Sequence, residues 1–74
     1  MEKKELLTLL NDMFDVPLDS DDETDLTQYI QDSIDVGELI AELKHQQPTT
    51  LKLADFKNIK TLNQLLKLIQ KHQQ

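Results

Sequence analysis

Leu6, Leu9, Leu10, Met13 and Phe14 recur at the three- and four-residue intervals that place side chains on one face of an α-helix. Pro17 and the stretch Asp19-Ser20-Asp21-Asp22-Glu23 predict an end to that helix near residue 14 or 15. A second stripe, Val36, Leu39, Ile40 and Leu43, follows the capping candidates Asp32 and Ser33 and stops before Pro48. A third, Leu62, Leu65, Leu66 and Ile69, opens on Thr61-Leu62-Asn63-Gln64, which has the spacing of a capping box. Leu51 to Phe56 has room for about one helical turn. No useful strand-like alternation and no internal repeat breaks this order. The pattern predicts an all-α fold: a small bundle of three main helices plus one short helix, with a long loop after the first helix.

That loop, from Asp15 to about Gln31, is long for so small a chain, and structureless connections beyond about 12–15 residues are usually functional or disordered. Val16, Pro17, Leu18, Leu26 and Ile30 are spaced to tack it onto the bundle, which predicts an ordered wrapping loop ending at Asp32-Ser33.

With 74 residues, 38% of them hydrophobic, the chain has the size of one domain, residues 1–74, with a modest core and the expectation of a monomer. It has no cysteine, so helix packing must hold it together without disulfides or thiolate metal sites. Met1 to Leu7 lacks the apolar run of a signal peptide, and no segment approaches the ~20 apolar residues of a membrane span. The expected compartment is the cytoplasm. Charge is segregated: Glu5 to Leu43 holds twelve acids and no lysine, whereas Lys44 to Gln74 holds six lysines and one aspartate. The acidic half repels phosphate backbones, and the lysines of the second half lack aromatic platforms, which argues against nucleic-acid binding. Partners with basic docking surfaces are the natural complement.

Candidate chemistry is sparse. Asp19, Asp21, Glu23 and Asp25 alternate like calcium ligands, but the sixth and twelfth positions hold Thr24 and Ile30 where an EF-hand requires Gly and Glu. His45 and His72 stand 27 positions apart on polar stretches, read as surface residues rather than zinc ligands. A chain this short cannot readily build a triad, an oxyanion hole and a substrate cleft together, so no enzymatic activity is expected. What remains is Asp32-Ser33-Ile34-Asp35, where loop meets helix. It can be read as a helix cap, with Ser at the cap and acids in the first turn, or as a hydroxyl presented for modification.

The surroundings of this tetrapeptide resemble the acyl carrier protein family, small helical bundles that carry acyl groups on a 4′-phosphopantetheine arm. Asp32-Ser33-Ile34 is similar to the family's Asp-Ser-Leu motif, and Asp35, Glu38, Leu39 and Leu43 match the Asp-x-x-Glu-Leu-x-x-x-Leu that follows it. Leu51 to Phe56 and Ile59-Lys60-Thr61-Leu62 resemble the short third helix and the lead-in to the last one. The resemblance implies that Ser33 receives the arm from CoA through a phosphopantetheinyl transferase, with Asp32 contacting that enzyme or its metal. It implies further partners that load and condense acyl or aminoacyl groups. With Val36, Leu39, Ile40 and Leu43 turned inward, the recognition face is expected to comprise Ile34, Asp35, Glu38, Ala41 and Glu42; ordinary core burial is the alternative for Ile34. Departures from the family pattern are Tyr29-Ile30-Gln31 where many members have Gly, Gly37 inside the second helix, and Lys44-His45-Gln46-Gln47 where fatty-acid carriers are acidic. These departures count against a housekeeping role in fatty-acid synthesis. Asp32-Ser33-Ile34 with Leu53-Ala54-Asp55-Phe56 more closely resembles polyketide or nonribosomal peptide carriers, which implies a free-standing carrier of a specialised pathway (polyketide, nonribosomal peptide or modified fatty acid). The alternatives are an unmodified acidic helical interaction module and an unrelated adaptor whose groove binds a partner helix.

Overall fold

The computed structural model describes residues 1–72. The three stripes form α1 (Lys3–Phe14), α2 (Ser33–Gln46) and α3 (Leu62–His72). A four-residue 3₁₀ helix, Leu53–Phe56, takes the place of the short helix, so the bundle has three α-helices. Another 3₁₀ helix, Leu26–Gln28, the first in chain order and so making Leu53–Phe56 the second, lies inside the long connection and was not expected. No strand occurs among the described residues, although an isolated antiparallel bridge joins Asp25 to Thr61.

The core is built from leucines: Leu6 and Leu10 of α1, Leu39 and Leu43 of α2, and Leu62, Leu65 and Ile69 of α3 are all but inaccessible. Leu51 and Val16 join them from the connections. Leu7 is also buried while Met13, Phe14 and Leu66 are only partly covered, so the expected stripes were too long in α1 and too wide in α3. Val36 likewise is half-buried rather than turned fully inward.

The end of α1 is set by Asp15 and Val16, not by Pro17. Asp15 adopts left-handed backbone angles (φ 62°), which Asp tolerates better than most residues. The Val16 N–H then reaches back to the Leu10 carbonyl, the six-to-one bond of a helix-terminating reversal. Val16 is thereby driven into the core, and Asn11 Nδ2 donates to its carbonyl at 3.1 Å. Beyond it the chain turns again, with the Ser20 N–H and hydroxyl both donating to the Pro17 carbonyl. Leu18 at the tip of this turn is 59% exposed and Pro17 is exposed as well, so neither tacks the loop down; Val16, Leu26 and the half-buried Ile30 do.

The loop is ordered because it satisfies the orphan donors at the start of α3. The Leu62 and Asn63 N–H groups donate to the carbonyls of Thr24 and Asp22, and Leu26 N–H donates to Lys60 in return. The expected capping box completes the set: Gln64 N–H donates to Thr61 Oγ1 and Thr61 N–H to Gln64 Oε1. Asp25 caps the first 3₁₀ helix by accepting from the Thr27 hydroxyl and N–H, bonds that hold its carboxyl below the ordinary 3.8. The stabilisation from that clip is present above the unfolded value and lost as pH falls through the lower folded one. His45 is exposed as expected, but His72 is half-buried and pairs through Nδ1 with the Thr50 hydroxyl at 2.9 Å. No helix among the described residues is long and apolar enough to cross a membrane.

Candidate functional site

The N terminus of α2 shows which residue of Asp32-Ser33-Ile34-Asp35 caps the helix. Asp32, with extended backbone, is the capping residue: its Oδ1 accepts the Asp35 N–H at 2.9 Å and its carbonyl accepts from Val36. Asp35 reaches the other way, its Oδ2 accepting the Gln31 N–H at 3.3 Å and fixing the end of the loop. Ser33 is the first helical residue rather than the cap, is exposed, and has no hydrogen-bond partner for its hydroxyl among the described residues. The N–H groups of Ser33 and Ile34 likewise have no acceptor among the described residues. Free amides at a positive helix terminus suit a negatively charged oxygen.

Ser33 opens onto a groove of about 360 Å³ between α2 and the second 3₁₀ helix, lined also by Val36, Leu53, Ala54, Phe56 and Lys57. Asp55 shapes the far wall by accepting the Lys52 N–H at 2.9 Å, which closes the single turn of that helix. Ile34, 70% exposed, and Leu53, 53% exposed, flank this end of the molecule. Core burial of Ile34 is therefore excluded.

The expected recognition residues separate into two groups. Ile34, Glu38 and Ala41 are exposed at intervals of four and three, one continuous helical face that runs on to His45. Asp35 and Glu42 are half-buried: the first is engaged with Gln31, and the second accepts from Gln46 Nε2 beside the flank of α1. Leu53 and Lys57 were missed because a segment of one turn carries too few residues to show which way each faces.

Residues 4–69 match the family described as Phosphopantetheine attachment site (PP-binding). The chain belongs to that family. It is accordingly a carrier domain and not a catalytic one; the family's prosthetic group is a covalent 4′-phosphopantetheine, and its members work with a phosphopantetheinyl transferase and acyl-handling enzymes. The comparison with curated proteins gave no match, nor did the comparison with solved structures.

One glycine of the carrier's α2 is not required by side-chain packing. Gly37 lies one turn after Ser33, and a Cβ built there meets nothing within 4 Å. Glycine in a helix interior costs about 0.5–1 kcal/mol relative to alanine, so Gly37→Ala is expected to raise stability by about that amount. Chemical denaturation measures it; a loss of stability would show that α2 packs more tightly at this position than its open surroundings indicate.

Proposed function

We propose that this carrier holds acyl or aminoacyl intermediates as thioesters on a 4′-phosphopantetheine arm attached to Ser33 and presents them to successive enzymes. The observation that supports Ser33 most strongly is its release from capping: Asp32 performs that task, leaving an exposed hydroxyl beside two free amides and an apolar groove. Those residues fit the arm. The amides suit its phosphate, and Val36, Leu53, Ala54 and Phe56 offer an apolar wall to its hydrocarbon part. In the transfer, the Ser33 hydroxyl would lose its proton to the transferase and Oγ would bond to the phosphorus proximal to the pantetheine of CoA, displacing 3′,5′-adenosine bisphosphate. Asp32 has one oxygen engaged in capping and a second for the transferase or its metal. When bound, the arm supplies the thiol; this chain supplies placement and recognition.

A specialised pathway is supported by two features. The end of α2 is Lys44-His45-Gln46-Gln47 rather than acidic. Beneath the groove, the space lined by residues including Leu26, Val36 and Phe56 is only about 70 Å³. It favours short or polar cargo over a long buried chain.

Incubation with CoA, Mg²⁺ and a broad-specificity phosphopantetheinyl transferase should add the mass of one arm. A protein that stays unmodified with several transferases would instead be an interaction module. Docking is tested separately with Glu38→Lys, because Glu38 is exposed without a fold-supporting bond among the described residues, unlike Asp35. Loading by a transferase with a basic docking surface should slow severalfold at low salt and converge on the wild-type rate at high salt, with an unchanged melting temperature. Equal rates at low salt would remove Glu38 from the docking face.

A further inference from the structure

The surroundings of Ser33 are electrostatically one-sided. Asp32, Asp35 and Glu38 lie within about a turn and a half of it, so a phosphodiester carried there would face repulsion along α2. Lys57 is the one cation among the residues that line the groove with Ser33. Its backbone is fixed at the end of the second 3₁₀ helix, where its N–H donates to the Ala54 carbonyl. Its ammonium is exposed and has no carboxylate within ion-pair distance among the described residues. The neighbouring Asp55 carboxylate accepts instead from the Lys52 N–H.

On the reading of Ser33 as the attachment residue, we propose that Lys57 is the counter-ion of the Ser33 phosphodiester and a positioning residue for the arm. Attraction from Lys57 and repulsion from Glu38, which lies on the exposed Ile34–Glu38–Ala41 face, act in the same direction. Together they turn the arm away from the Ile34–Glu38–Ala41 face and lay it over Leu53, Ala54 and Phe56. Leu53, half exposed at 53%, is then covered by the hydrocarbon part of the arm. The carrier thus keeps its partner-facing surface clear while the thiol end rests in the groove, and it releases the arm when a partner's own cations compete for the phosphate.

The test uses the full chain converted to the arm-bearing form with CoA and a transferase, each sample verified by intact mass. Nuclear Overhauser effects are then measured from the geminal methyls of the isotope-labelled arm to Leu53 and Phe56. Wild type should show them, and they should weaken about two- to fivefold in Lys57→Glu and less in Lys57→Gln, the range set by one exposed ion pair. Raising salt to about 1 M should weaken them in wild type as well, so the test stands even if Lys57→Glu loads poorly. Lys67→Glu, the same charge change on α3 outside the groove, should leave them at wild-type intensity. Intensities indifferent to both salt and Lys57→Glu in a protein that does gain the arm overturn the role of Lys57 alone. A wild-type protein that gains no mass overturns the Ser33 reading and this proposal with it.

Discussion

Leu10→Ala and Leu65→Ala are each expected to lower stability by about 2–5 kcal/mol, because both side chains are essentially inaccessible in the core. Domains of this size have only roughly 4–11 kcal/mol in total. Either substitution should therefore lower the melting temperature by more than about 10 °C, and the double variant should fail to fold cooperatively. Leu18→Ala is the internal control: its side chain is 59% exposed, so it should melt within a few degrees of wild type. Circular dichroism during thermal and urea unfolding measures all three. If Leu10→Ala and Leu65→Ala melt like Leu18→Ala, α1 and α3 do not meet in one core.

The helices were legible because helical periodicity survives single exceptions. Leu6 and Leu10, Leu39 and Leu43, and Leu62, Leu65 and Ile69 were assigned to the core from spacing alone, and all are buried. The errors lie where tertiary contacts overrule local pattern. Pro17 looks like the helix terminator, yet the left-handed turn at Asp15 has already reversed the chain. Leu18 looks like an anchor, yet it sits at the tip of the turn closed by Ser20 on the Pro17 carbonyl. The order of the long loop depends on Thr24 and Asp22 accepting N–H bonds from α3, about 40 residues downstream, which no local pattern encodes.

The site was legible in outline for a different reason. A run of Asp, Ser, Ile and Asp before an apolar stripe marks a helix start whatever its use, so the motif alone could not say whether Ser33 caps or is presented. Which residue caps depends on which side chain folds back onto the Asp35 N–H, and that is Asp32. The far wall of the groove was invisible because it comes from Leu53 to Lys57, brought opposite Ser33 only by the packing of the 3₁₀ helix on α2.

Ser33→Ala should abolish loading entirely while leaving the fold intact. The hydroxyl makes no hydrogen bond among the described residues, and alanine at the first helical position is well tolerated, so the cost to stability should stay within about 0.5 kcal/mol. Asp32→Ala is its mirror image: it removes the cap and should cost about 0.5–2 kcal/mol while keeping the Ser33 hydroxyl. The most direct measurement is intact mass followed by peptide fragmentation after exhaustive incubation of wild type and Ser33→Ala with CoA, Mg²⁺ and a phosphopantetheinyl transferase. The account predicts one arm per wild-type chain, located on Ser33, and none on Ser33→Ala. An arm on Ser20, the other serine of the chain, or a full mass gain in Ser33→Ala, would contradict it.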